Sequence, residues 1–282
     1  MAPAASQTTP EAPPSANACA LATWLVPGAG HFMLGDRRTA LIGFLLIQGL
    51  YLAGVMLSDG MFLQVLPPEM RGRFAGALTP EAGNLGALLL QGRQVGFGSG
   101  IPLPFPDGLH VGMMLTSAAG ILNLLLAARA HFDARARSGA VIDGAARHPG
   151  TCALLGWLVP GLGHLAQGRV ARGLVAFVLV VGLFALGTML AEGTNLDRTR
   201  HFYYWAGQAF LGPIAFGAEI ANGHSMMTER PEYADAGVML ASIAGMLNVM
   251  LLLDVYGFSD AKLFGRPLFT EGSRAAAGEV AR

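Results

Sequence analysis

Charge is scarce in this sequence. Of 282 residues only 13% are charged, the two signs balance at 18 each, and lysine occurs once, at Lys262. No basic cluster is dense enough to follow a nucleic-acid backbone, so nucleic acid is not an expected partner. Cysteine is almost absent too. Cys19 and Cys152 are the two cysteines, and they read as small helix residues rather than as a disulfide. There is no Cys-x-x-Cys, and no histidine pair at i, i+4 with a glutamate, so the common metal signatures are missing. Ser99 lies in the run Gly96-Phe97-Gly98-Ser99-Gly100 without the spacing of a nucleophile elbow, and no glycine run follows a strand to cradle phosphate. These gaps point to no cofactor, no metal and no enzymatic reaction. The segment Met1 to Asn17 has no lysine, no arginine and no apolar core, which reads as a flexible tail and not a cleavable signal peptide.

Apolar residues are abundant. Hydrophobic side chains make up 53% of the chain, mean hydropathy is +0.49, and 39 residues are glycine. That is too apolar for an ordinary soluble domain. Thr39 to Leu57 and Leu109 to Ala128 carry no charge, and Gly173 to Ala191 and Ala236 to Leu253 are their counterparts. At 1.5 Å per residue, runs of about 20 residues cross roughly 30 Å of hydrocarbon.

The word counterparts is literal. Cys19 to Leu57 aligns without a gap to Cys152 to Leu190, with agreement at about half the positions. Each stretch is centred on Trp-Leu-Val-Pro-Gly-x-Gly-His: Trp24, Pro27, Gly28, Gly30 and His31 in one, Trp157, Pro160, Gly161, Gly163 and His164 in the other. A second block matches Gly112, Ser117, Gly120 and Asn123 to Gly237, Ser242, Gly245 and Asn248. The chain is a tandem duplication. The expected fold is an all-α, polytopic integral membrane helical bundle of two homologous repeats, 18–137 and 151–269, with a linker at 138–150 and disordered tails at 1–17 and 270–282.

The motif segment is short for a crossing helix and carries a proline and glycines in its second half, so it is expected to kink or to enter and turn back, packed inside the bundle. The mixed regions between strong helices are read as interfacial or re-entrant, including 84–100 and Phe202 to Ala221, which contains Pro213 and Glu219. Arg37, Arg38, Arg169 and Arg172 precede one strong helix of each repeat, and Arg129, Arg135, Arg137, Lys262 and Arg266 follow the other. If all face one side, the strong helices cross in pairs and the repeats lie parallel; an odd number of crossings per repeat would invert the second. The sequence leaves both open.

The motif followed by a glycine, a basic loop and an apolar helix resembles a bacterial membrane-protein family of unknown function, itself similar to the two-transmembrane domain family. Glu232-Tyr233, Ala244-Gly245-Met246-Leu247-Asn248 and Leu253-Asp254-Val255-Tyr256 extend the likeness through repeat two. Repeat one departs from it by carrying Arg129 and His131 in place of the acidic end. The resemblance implies a bacterial membrane protein and supplies no activity.

Gly112, Gly120 and Asn123, with Gly237, Gly245 and Asn248, fall on one helix face and are expected to pack helices closely, the asparagines adding an interhelical hydrogen bond; the alternative is a polar path. His31 and His164 are the sharpest candidates for chemistry, against the plainer reading that each imidazole bonds backbone groups freed at the Pro-Gly break. The expected function is a non-enzymatic membrane module that packs with itself or with a membrane-protein partner in the lipid bilayer of a bacterial inner membrane. A small-solute or ion transporter is the alternative, and an intramembrane enzyme comes third.

Overall fold

A computed structural model describes residues 14–63, 65, 75–94, 104–139, 144–223 and 230–267. The Gly96 to Gly100 run of the mixed region lies outside them. Among the described residues every regular element is helical.

Each repeat opens with a half-length hairpin. In repeat one α1 (Ala16–Leu25) stops at Val26, which is extended because it precedes Pro27. Gly28 then turns the chain at φ 81°, a left-handed conformation suited to glycine, and α2 (Ala29–Met33) folds back along α1. The Gly30 amide donates to Thr23 Oγ1 at 3.0 Å. Repeat two copies this with α6 (Pro149–Leu158), an extended Val159, Gly161 at φ 84° and α7 (Leu162–Ala166). Ten residues rise only about 15 Å, so the motif enters the bundle and returns.

Four helices are long and apolar enough to cross a membrane: α3 (Arg37–Leu57), α5 (Leu109–Ser138), α8 (Val170–Leu190) and α11 (Ala234–Leu263). They are two per repeat and antiparallel within each. Gly54 and Gly112 face each other so closely that a Cβ on either would lie 2.6 Å from the other's carbonyl oxygen. Gly187 and Gly237 repeat the contact between α8 and α11. In lipid, where burial gives no gain over the solvent, this close approach supplies the packing attraction.

A second half-length hairpin enters each repeat from the opposite end. In repeat one a 3-10 segment (Pro80–Asn84) reaches Gly120 of α5, and α4 (Leu85–Gln94) leads back, with Gln91 Nε2 donating to the Gly60 carbonyl at 3.3 Å. In repeat two α9 (Phe202–Gln208) and a 3-10 turn (Ala209–Leu211) reach Gly245, and α10 (Pro213–Asn222) returns to Gly193 beside the end of α8. The nearly spanning run of Phe202 to Ala221 is thus two pieces, broken where Gly212 (φ 61°, ψ −133°) precedes Pro213 at the helix start.

The repeats lie parallel. The C-terminal ends of α5 and α11 meet through Arg135 Nη1 and Asp260 Oδ1 at 2.9 Å, and Tyr256 Oη donates to the Ala128 carbonyl at 3.0 Å. α5 and α11 each hold 30 residues, or about 45 Å, so they overrun the hydrocarbon by several turns. The basic residues flanking the strong helices gather at this overrun.

Gly187→Leu should force α8 from α11 and cost about 1 to 3 kcal/mol or more, read as a lower melting temperature in detergent. Gly182→Leu is the control, since nothing lies within 4 Å of a Cβ there. Equal melting of the two variants would refute the packing role.

Candidate functional site

The deepest polar feature is the junction of the two hairpins in each repeat. α1 ends inside the bundle, and its last carbonyls have no helical partner. Asn123, fully buried on α5, donates from Nδ2 to the carbonyls of Thr23 at 3.0 Å, Trp24 at 3.3 Å and Gly83 at 3.0 Å. One carboxamide therefore joins both hairpins of repeat one. Trp24 Nε1 adds a bond to the Ala82 carbonyl at 2.8 Å. In repeat two the buried Asn248 donates to the Gly156 carbonyl at 3.4 Å and the Phe210 carbonyl at 2.9 Å. Trp157 is buried, its backbone against Gly212. The glycine before each asparagine makes the approach possible: a Cβ on Gly120 would strike the Pro80 carbonyl, and one on Gly245 the Gly207 carbonyl. Gly30 and Gly163 lie equally close to the carbonyls of Cys19 and Cys152. Both cysteines are buried and free.

The two histidines meet carboxylates, not freed carbonyls. His31 is buried with Nε2 3.4 Å from Asp133 Oδ2, and His164 has Nε2 3.1 Å from Asp254 Oδ2. The backbone reading therefore fails for Nε2 in both repeats, because α5 and α11 overrun the hydrocarbon and bring an acid alongside. Asp133 also receives His148 Nε2 at 2.8 Å and has Arg129 Nε at 3.6 Å. His148 in turn caps α6, with Nδ1 accepting from the Gly150 amide at 3.0 Å. Asp254 is held by Arg169 Nη2 at 2.7 Å.

The gap-free alignment gives this corner a second meaning. Asp36 stands where repeat two has Arg169, and Arg129 where repeat two has Asp254. The charges are exchanged but the contact is not copied: Arg169 holds Asp254 directly, whereas Arg129 Nε lies 3.6 Å from Asp133 and acts on Asp36 only through its field. Asp36 caps α3 by accepting from the Thr39 amide at 3.1 Å. Its carboxyl is held below the usual range chiefly by hydrogen bonding to Thr39, with His31 and Arg129 helping. Burial pushes the His164 imidazole below its ordinary value, and Arg169 adds to that, against the pull of Asp254.

A third cluster joins the repeats. Arg198, from the segment after α8, is fully buried against the fully buried Glu81, Nη1 to Oε1 at 2.7 Å and Nη2 to Oε2 at 3.1 Å. Thr116 and Ser117 donate to Glu81 Oε1 at 2.8 and 2.9 Å, while the guanidinium lies over Phe202 and Trp205. Trp205 Nε1 donates to Glu219 Oε2 at 2.6 Å, and His110 Nδ1 lies 3.6 Å from Glu219 Oε1. Gln208 packs on Gly245 as Glu81 does on Gly120. There the position is neutral and bonded to Asn195, whose Nδ2 donates to Gln208 Oε1 at 2.9 Å. Glu81, Arg198, Asp133 and His148 were not singled out in the sequence, because they fall where the two repeats differ. Among the described residues, no three His, Cys, Asp or Glu side chains gather as a metal site.

Comparison with family models matches residues 18–140 and again 151–267 to a family of unknown function, DUF6677. The chain belongs to that family, twice over. The two matches coincide with the two hairpin-and-helix-pair units of the fold. Neither the curated proteins nor the solved structures contain a match to the chain.

Arg198→Met should leave Glu81 buried and unpaired, at a cost of about 3 to 5 kcal/mol, whereas Glu81→Met with Arg198→Met should recover most of it. A double variant no more stable than the single one would show that the pair does not act as a unit. At the exchanged corner, Asp254→Arg should lower stability by roughly 1 kcal/mol, and adding Arg169→Asp should restore it by setting opposite charges across the same contact. Thermal melting in detergent reads both series.

Proposed function

We propose that the protein is a non-enzymatic membrane module that packs with itself or with a membrane-protein partner. One observation carries the reading: the buried asparagines and the buried ion pair inside the bundle are directed at backbone carbonyls and at one another. Asn123 and Asn248 close the ends of half-helices, and Glu81 and Arg198 bind the repeats together. Such groups hold a scaffold in one arrangement. Two crossing helices per repeat also agree with a likeness to the two-transmembrane domain family. The arginines at the shared end of α5 and α11 favour a cytoplasmic location for that end, and a bacterial inner membrane suits the pattern.

A carrier of small solutes or ions is the second reading. Half-length hairpins entering from opposite ends and meeting inside the bundle favour it, since broken helices build the sites of many transporters. The two readings separate in one pair of measurements. The module should be purified from detergent as a defined complex heavier than the 29.3 kDa chain, and vesicles containing it should pass protons and small ions no faster than empty ones. A flux above that background, abolished by His164→Asn with the fold retained, would overturn the proposal in favour of the carrier.

A further inference from the structure

In repeat two, the corner between α7 and α8 borders two hollows. One of about 850 Å³ lies toward the end of α11 beside Phe258, and the other, of about 420 Å³, runs down α8 past Val175 and Leu179 to Leu251. Arg169, Arg172 and Asp254 line both. The charges do not cancel. Arg169 is held on Asp254 at 2.7 Å, which neutralises that pair. Arg172 is exposed and makes no hydrogen bond or ion pair among the described residues. His164, a wall residue of the 420 Å³ hollow, is buried and leaves Nδ1 without a hydrogen-bond partner. The first turn of α8 has no side-chain cap, so its free amides add positive potential at the same corner.

Below the charge the surface is apolar and open to lipid. Val175 is 57% and Leu179 64% exposed. Arg172, Val175 and Leu179 stand at i, i+3 and i+7, a single stripe about 10 Å long on α8. Cationic end, apolar slot and the starting point of a crossing helix are stacked along the membrane normal. An amphiphile with an anionic head and a hydrocarbon tail has the complementary layout.

We propose that this corner binds one anionic phospholipid, its phosphate at Arg172 and the first turn of α8, and an acyl chain along Val175, Leu179 and Leu251. Repeat one does not duplicate the site. Thr39 stands in place of Arg172, Arg37 and Arg38 in place of Val170 and Ala171, and Asp36 in place of Arg169. Asp36 accepts from the Thr39 amide, so a carboxylate already occupies the first turn of α3 where the lipid phosphate sits on α8. One lipid per chain is the stoichiometry.

Native mass spectrometry of the detergent-purified full chain tests this, titrating phosphatidylglycerol against phosphatidylcholine. One phosphatidylglycerol should be retained per chain, about tenfold more tightly than phosphatidylcholine. Arg172→Gln and Val175→Trp alter exposed side chains and should each weaken phosphatidylglycerol about tenfold, while Arg38→Gln, at the same end of repeat one, should change nothing. Millimolar inorganic phosphate should not displace the lipid. Equal retention of the two lipids, an Arg172→Gln variant no weaker than Arg38→Gln, unaltered binding by Val175→Trp, or displacement by phosphate would each overturn the proposal.

Discussion

A helix that ends inside a membrane leaves carbonyls that water cannot reach. Each such group costs several kcal/mol if unmet, and this fold has two such interruptions in each repeat. Asn123 and Asn248 meet them. A short carboxamide can donate to carbonyls from two chain segments only if both come close to α5 or α11, and that requires glycine three residues earlier on the same helix, where Gly120 and Gly245 stand. The proline breaks, the hairpins and the small faces of the long helices depend on this one pairing. A crossing helix would need none of it, because its backbone satisfies itself.

The buried ion pair shows a different principle at work between the repeats. Glu81 and Arg198 lie one in each repeat, and neither charge has access to water. Desolvation costs more than one such contact returns unless other donors and aromatic faces complete the shell. Here Thr116, Ser117, Phe202 and Trp205 supply most of it, with Arg198 Nε left without a hydrogen bond among the described residues. The cluster makes the repeats interdependent at one end, as Arg135 with Asp260 does at the other.

Much of this was legible in the residues. The duplication follows from the internal alignment, and the four crossing helices and the half-entering motif follow from apolar run length and from proline placement, which act locally. The histidine partners were not legible, because they depend on how far α5 and α11 continue past the hydrocarbon. Arg198 escaped for a related reason: it lies in a segment where the repeats diverge, and its importance comes from Glu81 over a hundred residues away. The exchanged corner was in plain view by contrast. Arg129 and Asp254 read as a change of sign when one helix is compared alone, and only the opposite change at Asp36 and Arg169 shows that the corner exchanges its charges as a whole.

That exchange bears on how the chain finds its fold. Two homologous repeats joined in one polypeptide can mispair during insertion, with the long helix of one docking on the hairpin of the other. Such a mispaired unit would set Arg129 against Arg169, or Asp36 against Asp254. Reversed polarity thus weighs against the wrong docking of two units that agree at about half their positions and share the same helix-packing faces.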